Sequence, residues 1–205
     1  MGTNRKEGWT MRKRTILGGA VMIAGLATAS VAQAQDRPMY ELPAIEVNVL
    51  QTELHQQAID LYEFPEHWGE AADLHRQAAE SLTKNDAGQF FGYSRAALLY
   101  FYAGELSAAR RSMEDAAQVA RATGDMLTAA NAFVDAAFIA VAEDYDGKQR
   151  EFVGEARELI ESPVLSEEDR AAVLARIEGA PAGAASVRVA LGQRFGSLET
   201  LALAN

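Results

Sequence analysis

The sequence predicts an all-helical protein, and three observations support that class. Apolar residues recur at the three-to-four spacing of an amphipathic helix along most of the chain after residue 47. Alanine, the strongest helix former, supplies much of the 49% of residues that are hydrophobic. Glycine and proline mostly stand at the edges of the periodic stretches. The 205 residues suffice for one well-buried domain or a short array of helices.

The first 34 residues have the features of a secretory signal peptide. The basic group Arg12–Arg14 precedes the apolar run Ile16–Ala29, and the small residues of Ala32–Ala34 follow. A membrane anchor needs about 20 apolar residues, which is more than this run contains. We therefore expect a mature chain that begins at Gln35, in a bacterial periplasm or secreted, with no stable membrane insertion. Residues 1–10 add nothing to such a signal, so Met11 is an alternative translation start.

Charge and the lack of cysteine narrow the class of partner. The chain contains no cysteine, which excludes disulfides and thiolate metal sites. Residues 1–34 hold five of the 19 basic residues and one of the 29 acids, so the mature chain keeps 14 basic and 28 acidic residues. Such an acidic surface repels nucleic acid and anionic membranes. We expect neither to be a partner.

The first predicted helices follow a flexible lead-in at residues 35–47, which contains two prolines. A helix is expected from about Asn48 to Tyr62, because its apolar residues keep a helical period and Pro65 then ends it. A second helix is expected from about Glu66 to Leu82. The two apolar stripes predict a helical hairpin.

The central stretch Phe90–Thr123 contains two more helical stripes, which break at Ala103-Gly104. Large and small residues alternate along them, so that two backbones can approach closely while rings fill the space beside them. The residues that carry this alternation are Tyr93, Ala97, Tyr100, Ala109, Met113 and Ala116.

These same six positions make residues 90–123 resemble the tetratricopeptide repeat, a helix pair of about 34 residues. Two residues depart from the family pattern: Ala96 stands where leucine is typical, and Arg121 replaces the terminal proline. Residues 52–85 match more weakly, with an alanine pair seven residues apart as in the central stretch. Residues 124–161 also match weakly, because their two helices are out of register.

The resemblance implies antiparallel helical hairpins stacked as a short right-handed array over residues 48–178. In the third unit, Gly124-Asp125 is expected to cap a helix that ends near Ala142, and a long acidic turn at Glu143–Gly147 precedes a helix at Lys148–Glu161. Ser166–Ile177 begins with a strong capping sequence and predicts a C-terminal capping helix, which such arrays need to cover their last apolar face.

The last segment, residues 179–205, is a linker followed by a tail of uncertain structure. Residues 179–186 have the composition of a flexible linker. Residues 187–205 have no clear period, so that a docked helix, a strand added to a partner and disorder all stay open.

The resemblance also implies a binding groove. In the family the inner concave surface is lined by fixed positions of each first helix, which correspond here to Phe91, Ser94, Leu98, Phe101 and Tyr102. Acids of the flanking first helices are expected at the rim, namely Glu53, Asp60, Glu63 and Asp135. The lysines and arginines with which some members grip a C-terminal carboxylate are missing, so the expected partner segment is basic and apolar. The alternative is that neighbouring helices or the C-terminal tail cover these residues.

Candidate catalytic and metal-binding groups are few. His67 and His75 stand eight residues apart, whereas metal ligands on one helix usually stand three or four apart to share a face. We expect both histidines to pack at the surface or half-buried. Glu143, Asp144 and Asp146 lack the spacing of a calcium loop and predict a solvated turn. We therefore expect no metal, no cofactor and no catalysis.

The predicted function is that of an exported, non-catalytic scaffold that binds a protein or peptide in the cell envelope. The rival hypothesis is a small-ligand-binding protein, or an accessory subunit of an envelope enzyme or transporter. The species that co-purifies with the chain, a polypeptide or a small molecule, distinguishes the two.

Overall fold

The computed structural model describes residues 49–84 and 86–195, and all regular structure among them is helical. A short 3-10 turn at Pro65–His67 separates the first two of eight α-helices. The helices are α1 Val49–Asp60, α2 Trp68–Glu80, α3 Ala87–Ala103, α4 Leu106–Ala122, α5 Met126–Ala142, α6 Asp146–Ile160, α7 Glu167–Glu178 and α8 Ala184–Phe195. The predicted signal peptide at 1–34 and lead-in at 35–47 lie outside the described residues.

Helices α1 to α6 pack in the order of the sequence, each against the next. Helix α7 contacts α5 and α6, and α8 returns to contact α5. The helices α2, α4 and α6 begin at residues 68, 106 and 146, which are 38 and 40 residues apart. This spacing is longer than the repeat of about 34 residues in the family that the sequence resembles.

The helix ends follow local signals in the sequence. Gly104 ends α3 in the left-handed conformation, with φ of +84°, as the predicted break requires. Asp125 begins α5 by accepting a hydrogen bond from the Thr128 amide at 3.0 Å. Ser166 begins α7 in the same way with the Asp169 amide at 3.1 Å. The predicted caps at residues 125 and 166 are therefore present.

Two predicted boundaries were wrong. The turn after α5 is short, Glu143–Tyr145, because Asp144 adopts a left-handed φ of +57° and turns the chain within three residues. Helix α6 therefore begins at Asp146 rather than Lys148. The linker after α7 is also shorter than expected, since α8 begins at Ala184 directly after Gly183, whose φ is +90°.

Small residues let the central helices approach closely. Ala97 on α3 and the pair Ala109 and Ala116 on α4 have no exposed surface. Gly92 brings α3 against α2, because a Cβ at this position would lie 2.7 Å from the His75 carbonyl oxygen and from the Ala79 Cβ. The alanine and glycine positions act as a packing device.

Candidate functional site

The five predicted groove residues of α3 divide into two groups. Ser94, Leu98 and Phe101 are buried, at 8%, 2% and 3% exposure. Phe91 and Tyr102 are half-buried, and therefore remain partly accessible. The Ser94 hydroxyl donates to the Phe91 carbonyl at 3.0 Å within the helix. Leu98 and Phe101 thus belong to the core, whereas the rings of Phe91 and Tyr102 are partly exposed.

The four predicted rim acids also differ. Glu53, Asp60 and Glu63 are exposed, and Asp60 accepts a hydrogen bond from Gln56 at 3.0 Å. Asp135 is not at a rim, because its side chain on α5 has no exposed surface. A buried carboxylate needs a cation or several hydrogen bonds, since removing it from water is costly. The structure supplies two arginines.

The two arginines come from the last two helices. Arg176 of α7 donates to Asp135 Oδ1 at 2.6 Å, and Arg194 of α8 lies 3.1 Å from Asp135 Oδ2. Arg176 also donates to the Asn131 side chain, one turn earlier on α5. The Arg194 side chain is only 5% exposed. The carboxylate therefore joins α5, α7 and α8 through charges that are shielded from water.

Helix α8 is attached through a narrow apolar stripe and this ion pair. Val187 and Leu191, four residues apart, are buried at 0% and 1% exposure. Val189, on another side of the helix, is 59% exposed. Val187, Leu191 and Arg194 lie on the side of α8 that faces the rest of the protein, so that this side carries both apolar and basic groups.

Tyr102 of α3 forms the other edge of this attachment. The Arg188 guanidinium of α8 lies over the Tyr102 ring, 5.5 Å from its centroid. A Cβ at Gly192 would lie 3.4 Å from Tyr102 Oη, which shows how near α8 passes. Trp68 packs edge-on against the same ring at 5.9 Å. We call Tyr102 and Asp135, together with the side of α5 that α8 contacts, the α8 surface.

The α8 surface can recognise a helix by two kinds of contact. It covers aliphatic side chains one helical turn apart, and it offers a carboxylate and an aromatic ring to guanidinium groups. Two of the nine predicted site residues, Tyr102 and Asp135, belong to it. The sequence had left open that the C-terminal tail covers groove residues, and α8 lies against one of them, Tyr102. The pairing of Asp135 with α8 was not predicted, although Asp135 is the only charged residue of α5. A lone charge in an apolar helix indicates a buried partner.

A second polar cluster lies between α1, α2 and α3. The Nδ1 atoms of His55 and His75 are 2.6 Å apart, and His75 Nε2 lies 2.5 Å from Tyr62 Oη. One of the two Nδ1 atoms donates and the other accepts, so both rings can be neutral. His75 is 1% exposed, which corrects the expectation that it lies at the surface or half-buried.

The pKa values in this cluster favour the uncharged forms. Burial, and to a smaller extent the charge of Arg95, lower the pKa of His55 to about 4. Burial, His55 and Arg95 hold the pKa of His75 well below its ordinary value. Burial raises the pKa of Tyr62 to about 12, against an opposing effect of Arg95. His55, His75 and Tyr62 are therefore uncharged near pH 7, and their hydrogen bonds join α2 to α1 and to the turn that follows α1.

The other predicted polar groups have structural partners. His67 is exposed and lies 3.1 Å from Glu70. Glu143 accepts from Arg110 at 2.7 Å and from the Ser107 hydroxyl. Burial, the largest single effect, would raise the pKa of Glu143, but these two hydrogen bonds together with the charges of Arg110 and Arg111 lower it. The acidic turn is thus tied to α4 at Glu143, whereas Asp144 and Asp146 are exposed.

No protein-family model matches the chain, and no curated protein or solved structure does so either. Residues 49–84 and 86–195 contain no helix with the length and apolar character that crossing a membrane requires. Within the same ranges no three histidine or acidic side chains form a group that could hold a metal ion.

Proposed function

We propose that this chain is an exported, non-catalytic helical scaffold, with helix pairs stacked as in tetratricopeptide repeats, that binds a basic and apolar peptide or protein segment in the cell envelope. One observation carries the proposal: α8 already occupies the α8 surface through Val187, Leu191 and Arg194. A surface that holds such a segment within the chain has the chemistry to hold a similar segment of another protein.

Charge complementarity supports a basic partner. Helix α8 contains two arginines and no acid, whereas the whole chain has a net charge of −10. The exposed acids Glu53, Asp60 and Glu63 belong to the first predicted repeat and would extend the attraction beyond the α8 surface. Their contribution is to association rate and partner choice, and salt reduces it.

The proposal keeps only some of the predicted groove residues as binding contacts. Phe101 and Leu98 are core residues, so truncating Phe101 is expected to cost about 3–5 kcal/mol in folding stability. Tyr102 is half-buried and keeps its proposed role as an aromatic contact.

The experiment is a selection from a random peptide library displayed on phage, with the mature chain as bait. Selected peptides should combine aliphatic residues one helical turn apart with arginine, and anisotropy titrations should show affinity that falls as salt is raised. The charge reversals Asp60→Lys and Glu63→Lys should each weaken binding by up to about fivefold, because exposed charge pairs are worth up to about 1 kcal/mol.

The matched control is Glu158→Lys, an exposed charge reversal on α6, which should leave affinity unchanged. Mass spectrometry of the denatured purified chain tests the rival hypothesis by detecting any small molecule that co-purifies with it. The proposed function is wrong if a small molecule is released in stoichiometric amount and the selection yields no basic apolar peptide. The chain would then be a small-ligand-binding protein.

A further inference from the structure

The α8 surface is filled by α8 itself, which is the last helix that the structure describes. Helix α8 follows α7 after only the linker at residues 179–183, and its buried side chains are those of Val187, Leu191 and Arg194. It contacts α5 and reaches Tyr102 of α3, whereas α1 to α6 pack against one another in sequence. Elements with few buried contacts open at lower free energy than the core.

The contacts of α8 define what a competitor must carry. If α8 leaves, Asp135 loses the guanidinium of Arg194 and keeps that of Arg176 at 2.6 Å. An incoming segment restores the lost contact only if it places a guanidinium near Asp135 Oδ2. It must also cover the apolar area that Val187 and Leu191 occupied. These two requirements select an amphipathic helix that bears arginine.

We infer that α8 is an internal ligand of the α8 surface, and that the partner binds by displacing it with an amphipathic, arginine-bearing helix of its own. This inference rests on the proposed function, because it assigns the binding site and its regulation. The bound partner helix repeats the pattern of α8: two aliphatic residues four apart and an arginine three residues after the second. Displacement makes the apparent affinity depend on how often α8 is undocked.

The test uses a fluorescent synthetic peptide that corresponds to residues 184–195, titrated into the full-length mature chain. The unmodified chain should bind the peptide weakly. The Leu191→Asp variant places a charge in the apolar contact of α8 and should therefore bind the peptide at least about tenfold more tightly. This factor corresponds to an internal ligand that is docked at least about 90% of the time in the unmodified chain. The control Val189→Asp, at an exposed α8 position, should bind like the unmodified chain.

Two further changes identify the surface. In the Leu191→Asp chain, adding Tyr102→Ala should remove most of the gained affinity, and a peptide with Arg194→Glu should bind at least about tenfold more weakly than the original, because it places a carboxylate beside Asp135. Equal binding of both peptides, or equal binding to the unmodified and Leu191→Asp chains, overturns the inference.

A second variant guards against loss of folding in Leu191→Asp. A protease site is inserted in the linker at residues 179–183, and the chain is cut after purification. The C-terminal fragment that the cut produces should stay bound to the rest of the chain. The 184–195 peptide should displace it, whereas the Arg194→Glu form of the peptide should not. A fragment that neither peptide displaces overturns the inference. A chain that light scattering shows to be a dimer, dissociated by the peptide, would also overturn it by assigning the surface to α8 of a second copy.

Failure of this inference and failure of the proposed function give different results. The peptide from α8 binds or fails to bind without any outside partner. Library peptides that bind without competing with it would keep the scaffold function and move its site. An α8 peptide that binds in trans, with no library peptide selected, would leave α8 as a purely structural ligand and remove the proposed function.

Discussion

Arg194 of α8 lies 3.1 Å from the carboxylate of Asp135 of α5, and both side chains are almost completely shielded from water. The same carboxylate accepts a hydrogen bond from Arg176 of α7 at 2.6 Å. Helix α5 is thus joined at one buried charge to α7 and α8, which come much later in the sequence. In such a cluster, loss of the acid costs more than the pair contributes, because the cations stay buried.

The first prediction concerns this acid. The Asp135→Asn variant keeps the shape of the side chain but removes its charge, so Arg176 and Arg194 lose the negative charge that faces them. The free energy of unfolding should fall by about 3–5 kcal/mol, measured by urea denaturation. Asp60→Asn is the control, because Asp60 is exposed, and it should change stability by less than about 0.5 kcal/mol. Equal effects of the two substitutions would show that Asp135 is solvated in solution.

The second prediction concerns the contact between α2 and α3. An alanine at Gly92 would place its Cβ 2.7 Å from the His75 carbonyl oxygen and the Ala79 Cβ, both rigidly held. Gly92→Ala should therefore destabilise the protein by about 1–3 kcal/mol through overpacking. Thermal melts provide the measurement.

Gly154 on α6 is the matched control for Gly92. It lies inside a helix, is exposed, and has no atom within 4 Å of an added Cβ. Gly154→Ala should raise stability by about 0.5–1 kcal/mol, because alanine is the better helix former. If both substitutions stabilise the protein, α2 and α3 do not approach as closely as the structure shows.

The helices could be predicted from the sequence because their signals are local. Gly104 supplies the left-handed residue that ends α3, and Asp125 and Ser166 supply side-chain caps. Each signal acts within four residues of the boundary. The turn at Asp144 was predicted too long, because a left-handed non-glycine residue shortens it and that conformation has no local sequence signal.

The occupied site could not be predicted, since it depends on pairs distant in the sequence. Nothing near Arg194 indicates that it meets Asp135, and α8 carries only two buried apolar residues, too few to make a clear period. The repeat pattern predicted Asp135 at a rim, because it describes the first helix of each pair and does not include α7 or α8. A charge in an otherwise apolar helix was the stronger signal, and it indicated burial with a partner.

The third prediction concerns the alanine pair of α4. Ala109 and Ala116 have no exposed surface, so leucine at either position must displace neighbouring helices. Each substitution should cost about 1–3 kcal/mol, measured by thermal or urea unfolding. Ala122, at the exposed end of the same helix, is the control, and Ala122→Leu should have little effect. A loss at Ala122 as large as at the other two sites would contradict close packing of α4.

The lowered pKa values of His55 and His75 predict how stability changes with pH. The folded-state pKa of His55 is about 4 and that of His75 is also lowered, below the value of about 6.5 for unfolded histidine. Between these values the unfolded chain binds protons that the folded chain does not. Stability should therefore fall as the pH falls from about 6.5 toward about 5, and be fully present above about 6.5.

The fourth prediction isolates His55 in this effect. His55→Gln removes a group that titrates in the unfolded chain but not in the folded one above about pH 4. The slope of unfolding free energy against pH, from urea titrations between about pH 7 and 5, should become less steep, by at most about 1.4 kcal/mol per pH unit for one proton. His67→Gln, at an exposed histidine paired with Glu70, serves as the control. If the plots of unfolding free energy against pH are parallel for His55→Gln and the unmodified chain, His55 takes up its proton in the folded state. The cluster of His55, His75 and Tyr62 would then be open to water.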